Sequence, residues 1–198
     1  MKVNLIRNIS IFAIIALIFI VIFQGIFSKN KDNSLSLSNK VNEFNLITHN
    51  DTAFNSNYFN NYPALIFFGF LNCPDVCPFT LTKISEIIEK LKDDKKIIRY
   101  YFVTVDPERD NIEEIKVYLS GFNSRITGIT GTKLNITKFL KHMHVYSKKV
   151  FLDKEHYTMD HSSQMFLFDS KGNFFATISS EESMDIILSK LKKLITGA

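Results

Sequence analysis

The residues best suited to chemistry stand together in Cys73-Pro74-Asp75-Val76-Cys77-Pro78, which holds both cysteines of the 198-residue chain. With no other thiol available, a disulfide scaffold and a four-thiolate zinc site are excluded, and the two sulfurs act as a single pair if they act at all. A spacing of four at a helix start sets both on one face of the first turn, close enough to bridge each other or to grip one soft ion. Helix amides and the positive end of the dipole favour thiolate over thiol there, which raises nucleophilicity and metal affinity together. Pro78 fits a first-turn position, where its missing N–H costs little. A purely structural disulfide is the weaker reading, because so small a loop constrains the unfolded chain little.

Two sulfurs do not complete a metal site. Of the five histidines, His161 is placed to add a donor. It sits in Met159-Asp160-His161-Ser162-Ser163, read as a loop, just before an apolar run from Gln164 to Phe168. If that run is a strand beside the one that ends at the cysteines, His161 approaches the helix start that carries them. His142 and His144 flank Met143 in an H-x-H pattern that reads as the surface end of a helix. His49 and His156 lie in polar loops. Asp106-Pro107-Glu108-Arg109-Asp110 follows another apolar run and projects from the same sheet edge. Asp110 followed by Glu113 matches a capping box for the next helix. Asp106 and Arg109, with Asp160 beside His161, remain as candidates to support the site or dock a partner.

These groups need elements to hold them. Ala64 to Phe70 and Ile97 to Val105 are near-continuous apolar runs, as central strands covered on both faces require. Between them Leu81, Ile84, Ile88 and Leu91 recur at helical spacing, which makes a strand, helix, strand unit. Further helices are expected over Ile112–Phe122, Thr132–Met143 and Met184–Leu194. Gln164–Phe168 and Phe174–Ile178 flank Ser170-Lys171-Gly172-Asn173 as a hairpin. The pattern predicts an α/β layer fold with the cysteines where a strand ends and a helix begins, the edge at which such sheets bind ligands.

The length supports one globular core with an appendage. Lys and Arg number 24 against 20 Asp and Glu, and no basic block announces nucleic acid. Ile9 to Phe27 is uncharged and apolar, about 28 Å long as a helix against a hydrocarbon core of about 30 Å. A cleaved signal peptide has a shorter apolar stretch ending in a small-x-small site, and no Ala-x-Ala follows here. The division expected is therefore a transmembrane anchor over 1–28, a flexible polar tether over 29–43 and a domain over 44–198. A short cationic amino terminus favours staying inside, which leaves the domain on the exported side.

Gly69–Leu81 (GFLNCPDVCPFTL), Val105–Asp110 (VDPERD), Gly128–Gly131 (GITG) and Tyr157–Gly172 (YTMDHSSQMFLFDSKG) together resemble the Sco/SenC family, over roughly Val41 to the end. The resemblance implies a thioredoxin-like domain on a membrane anchor, copper held by Cys73, Cys77 and His161, and delivery to the copper-site subunit of cytochrome c oxidase. It implies a bacterial inner membrane facing the periplasm, or a mitochondrial inner membrane facing the intermembrane space. Leu71-Asn72 departs from the Thr or Ser common two residues before the first cysteine in that motif. The donor chemistry agrees: two thiolates and an imidazole suit Cu(I), and a cysteine-rich set also holds Cu(II), whereas zinc usually takes a fourth ligand. The alternative is a membrane-tethered thiol–disulfide oxidoreductase using Cys73 and Cys77, although a general thioredoxin would carry C-x-x-C and a proline in place of His161.

Overall fold

In chain order the elements are β1 (Leu46–Thr48), β2 (Ala53–Phe54), β3 (Ala64–Gly69), α1 (Val76–Lys90), β4 (Arg99–Thr104), α2 (Ile112–Leu119), β5 (Ile126–Thr130), α3 (Lys133–His142), β6 (Ser147–Phe151), β7 (Tyr157–His161), β8 (Met165–Phe168), β9 (Phe174–Ile178) and α4 (Met184–Thr196). They come from a computed structural model that describes residues 18–19, 35–37, 40–59, 61–92 and 98–196. Seven strands form one sheet in the order β2-β1-β5-β4-β3-β8-β9, and β6 pairs with β7 as a separate ribbon. The central β3, β4 and β5 run parallel, while β8 runs antiparallel to β3.

The two uninterrupted apolar runs became the sheet centre: β3 is buried at every residue and β4 at all but its first. A parallel strand covered on both faces has no solvent side, so its residues need not alternate. Helix α1 turns Cys77, Thr80, Leu81, Ile84, Ile87 and Ile88 inward. Pro78 is its third residue, within the first turn whose amides lack helical partners anyway. Helix α2 lies against β5 at Gly128, where an added Cβ would stand 2.3 Å from Ile115 and 2.7 Å from Leu119. His49, expected in an unremarkable loop, accepts a 2.7 Å hydrogen bond from the Gly128 amide through Nδ1. His142 at the end of α3 contacts the Ser36 carbonyl oxygen at 3.2 Å.

Two expectations change, and a third lies outside the described residues. The folded unit spans Leu35–Ala198, so part of the tether expected over 29–43 is structured. Leu37 and Val41 are fully buried, the Phe174 amide donates to the Leu35 carbonyl and the Leu37 amide to that of Gly172. Apolar residues spaced this widely show no period, yet each fills a hole in the core. His161 is the last residue of β7 rather than part of a loop. Strands β6 and β7 were not foreseen because a ribbon that is nowhere fully buried mixes polar and apolar residues, with lysines in β6, where a buried strand would carry an apolar run. The anchor expected over 1–28 lies outside the described residues apart from Ile18 and Phe19, and among the described residues no helix is long and apolar enough to cross a membrane.

Candidate metal centre

Strand β3 ends at Gly69, and the chain turns through Leu71 and Asn72 into the cysteine segment. A Cβ on Gly69 would sit 2.9 Å from the Cys77 Sγ and 2.9 Å from Phe102, so only glycine lets the strand end pass beneath the thiol. Cys77 is the second residue of α1 and fully buried; Cys73 precedes the helix and is partly exposed. The two are thus not on one helical face, as the spacing had predicted, because the turn starts only after Asp75. The Cys77 amide, which has no acceptor within the helix, instead donates to the Cys73 sulfur at 3.5 Å. Both cysteines are free thiols.

His161 reaches this point because β8 is antiparallel to β3, so the residues that lead into β8 stand over the carboxyl end of β3. Its Nε2 lies 3.8 Å from the Cys77 sulfur, across 84 residues of chain. Its Nδ1 is 2.9 Å from the Ser162 carbonyl oxygen. That oxygen only accepts, so Nδ1 carries the proton and Nε2 presents a lone pair to the thiol, as a metal-ligating imidazole requires. Burial, opposed by the Ser162 bond and the Asp160 charge, holds the His161 pKa below its usual value. Phe70 packs its ring edge to face against the imidazole, 5.7 Å between centroids.

Burial also pushes the Cys77 thiol far up, against the bond from the Phe70 backbone. The expectation that helix amides favour a thiolate is therefore overturned for Cys77, where desolvation of the charged form outweighs the dipole. Among the described residues no group of three or more His, Cys, Asp and Glu side chains is drawn tightly enough to hold a metal ion as it stands.

The surrounding carboxylates divide sharply. Asp106 is 1 % exposed and accepts from the Arg109 Nε at 2.5 Å and the Tyr157 hydroxyl at 3.0 Å. Arg109 continues to the Tyr157 carbonyl at 3.0 Å and stacks over that ring at 3.7 Å. Since Tyr157 opens the strand that His161 closes, this pair fastens the β6–β7 ribbon to the sheet edge. Glu108 adds a second clip, bonding Lys149 of β6 and Lys133 of α3. Asp160 is exposed, pairs in register with Lys148 and points away from the His161 face.

Asp110 does not cap α2; Asn111 does, in a reciprocal capping box with Glu114. One oxygen of Asp110 instead accepts from the Thr104 hydroxyl at 2.6 Å and from the Leu71 amide at 3.2 Å, which holds the loop leading to Cys73. Gly69, Phe70, Asp110 and Tyr157 are thus parts of the site that residue reading missed or misassigned. The one signal available was their position inside the same motifs as the cysteines and His161.

A chain with this layout has close relatives. The sequence matches the SCO1/SenC family over residues 33–196. It is 37% identical over 149 residues to an SCO2-like protein of Rickettsia prowazekii, covering 72% of this chain and 73% of that one. Its structure resembles that of copper-bound ScoI of Bradyrhizobium japonicum, with a TM-score of 0.69 at 36% identity over 75% of this chain and 95% of the other. It likewise resembles copper-bound ScoI of Arabidopsis thaliana, with a TM-score of 0.72 at 27% identity over 77% and 96%. The fold is the mixed α/β, thioredoxin-like one of these proteins, and the chain belongs to the SCO1/SenC family.

Proposed function

We propose that this protein binds one copper ion through Cys73, Cys77 and His161 and transfers it to the copper site of cytochrome c oxidase, working from the outer face of the membrane that its amino-terminal segment enters. The observation that carries the reading is the approach of the His161 Nε2 to the Cys77 sulfur at 3.8 Å from a distant strand, with the Cys73 sulfur beside the Cys77 amide. Two sulfurs and one imidazole form a soft, low-coordinate set suited to Cu(I) and able to hold Cu(II). Copper-bound relatives and family membership support it.

Cys77 and His161 are the fixed donors, preset by burial and by the Ser162 bond. Cys73, on its partly exposed loop, swings in to close the set and is the first to let go. Such an arrangement suits a carrier, because an acceptor ligand displaces the outermost donor without opening the core. Asp106 and Arg109 act at one remove by fastening the ribbon that ends at His161, and the charge of Asp160 bears on the imidazole from outside. The anchor runs through Ile9 to Phe27, with the domain in a bacterial periplasm or a mitochondrial intermembrane space. Burial of Cys77 weighs against thiol exchange as the main role, since attack needs an accessible thiolate.

Anaerobic copper titration of the reduced full chain in detergent, with thiols counted in parallel, tests this. One copper per chain is expected, lost in Cys73→Ser or Cys77→Ser and severely weakened in His161→Ala, while His161→Ala still makes and breaks the disulfide. Equal copper affinity in wild type and His161→Ala would refute the assignment. Resistance of the full chain to alkaline carbonate extraction tests the anchor.

A further inference from the structure

Beside the donor cluster the β6–β7 ribbon does not lie flat on the molecule. It stands against α3 and leaves a groove of about 490 Å³ between them. The floor is apolar, built from Ile136 and Leu140 of α3, Val145 in the following turn, and Met159 of β7. Lysines form the rim: Lys133 and Lys141 on the helix wall, Lys148 and Lys149 on the ribbon wall. The two carboxylates that also line it are already engaged. Asp106 is held inward by Arg109 and Tyr157, and Glu108 is shared by Lys133 and Lys149. Lys141 on the helix wall is exposed and has no ion-pair partner among the described residues, and Lys148 on the ribbon wall is exposed with Asp160 as its cross-strand neighbour. Tyr146, 53 % exposed, stands at the rim.

The groove opens next to the donors. Met159 and His161 are two apart on β7 and so project from the same face. Tyr146 is tied to Ser162, the residue after His161, by two hydrogen bonds of 3.1 Å, one through the Ser162 hydroxyl and one from its amide. An occupant seated on Met159 therefore lies two residues along β7 from the imidazole.

We propose that this groove docks an acidic segment of the partner protein that receives the metal, with apolar side chains seated on the floor and carboxylates paired to Lys141 and Lys148. The identity of the partner rests on the transfer reading above; the groove itself does not. Charge complementarity selects the occupant: Lys133, Lys141, Lys148 and Lys149 against Glu108 and the cross-strand neighbour Asp160 leave the rim net positive, which attracts carboxylates and steers encounter. An exposed tyrosine over an apolar floor is the kind of anchor that carries binding energy in protein interfaces. A polyanion such as nucleic acid, which binds through rows of phosphate contacts, would leave the apolar floor unused.

The test uses the metal-free, reduced full chain in neutral detergent and a fluorescent peptide in which Asp or Glu alternates with Leu or Phe. Its Lys-substituted counterpart, an oligonucleotide and anionic lipid vesicles serve as competitors. Binding of the acidic peptide is expected to weaken about tenfold or more from about 50 mM to about 300 mM salt. It should weaken about tenfold or more in Lys141→Glu/Lys148→Glu, and stay unchanged in Lys192→Glu/Lys193→Glu on the far helix α4. Equal binding of the Lys peptide, undiminished binding by the Lys141/Lys148 variant, or equally effective competition by oligonucleotide or vesicles would each overturn the proposal. Copper titration of the same variant separates the two claims. Loss of peptide binding with copper binding intact supports a docking groove, whereas a wild type that binds peptide and no copper would overturn only the transfer reading.

Discussion

Replacing Asp110 by asparagine should make the protein more stable at neutral pH, although it removes a charge from a hydrogen-bonded site. Asp110 is 2 % exposed, and burial, with help from Asp106, pushes its pKa from 3.8 to about 6 against the bonds from Thr104 and Leu71 and the charge of Arg109. The folded protein thus holds this proton more tightly than the unfolded chain. The carboxylate costs nothing well below pH 3.8, where both states are protonated, and destabilises the fold increasingly as pH rises from there to about 6. At full ionisation the difference corresponds to about 3 kcal/mol. Both donors end on the same oxygen, so the single carbonyl oxygen of asparagine can accept both. An uncharged acceptor weakens each bond by about 0.5–1 kcal/mol. The net expected gain at pH 7 is about 1–2 kcal/mol, or about 2–8 °C in Tm for a domain of this size. Thermal unfolding of the metal-free full chain, followed by circular dichroism from pH 3 to 8, reads it directly. The gap between Asp110→Asn and wild type should open through pH 4–6 and close at the acid end. A variant less stable than wild type at pH 7, or a gap independent of pH, would refute this account of Asp110.

Gly69→Ala forces a methyl group against the Cys77 sulfur and Phe102. It should cost about 1–3 kcal/mol in urea unfolding and weaken copper binding as well, whereas intact copper affinity would show that the thiol has room to move. Tyr157→Phe removes the hydroxyl bond to Asp106 but keeps the ring over Arg109. A loss of about 1 kcal/mol should appear as faster amide exchange along β6–β7 with β3 and β4 unaffected, and equal exchange everywhere would mean that Asp106 does not fasten the ribbon. Because the Cys77 thiol is pushed far up, copper must displace its proton. Affinity measured against a competing chelator should therefore rise with pH, by up to about tenfold per pH unit for each proton released, and a flat profile from pH 6 to 8 would contradict a protonated Cys77.

The apolar runs at Ala64 and Ile97 were legible as central strands, and the spacing of Leu81, Ile84 and Ile88 as the helix between them, because full burial leaves its period in residue type. Strands β1 and β2, of three and two residues, are too short to hold a period. In β5 Gly128 replaces the apolar residue a strand would show, for the sake of close helix packing. The ribbon β6–β7 is nowhere fully buried, so the lysines of β6 advertise solvent rather than pairing.

The donor types were legible as well, since sulfur and imidazole have few other uses at a strand-to-helix turn. Their states and geometry were not. Cys77 reads from sequence as a helix-start thiolate, and only the core packed over it makes it a buried, protonated thiol. Asp110 reads as a cap, and only the approach of Thr104 and the Leu71 loop gives its carboxylate different work. Local spacing determined which atoms are available, what secondary structure presents them, and which soft ion they suit. Tertiary structure decided that β8 lies antiparallel beside β3, and so that His161 meets Cys77 at all. That choice depends on contacts between residues far apart in the chain, whose energies no local pattern encodes, and the same contacts set the dielectric that fixes each proton.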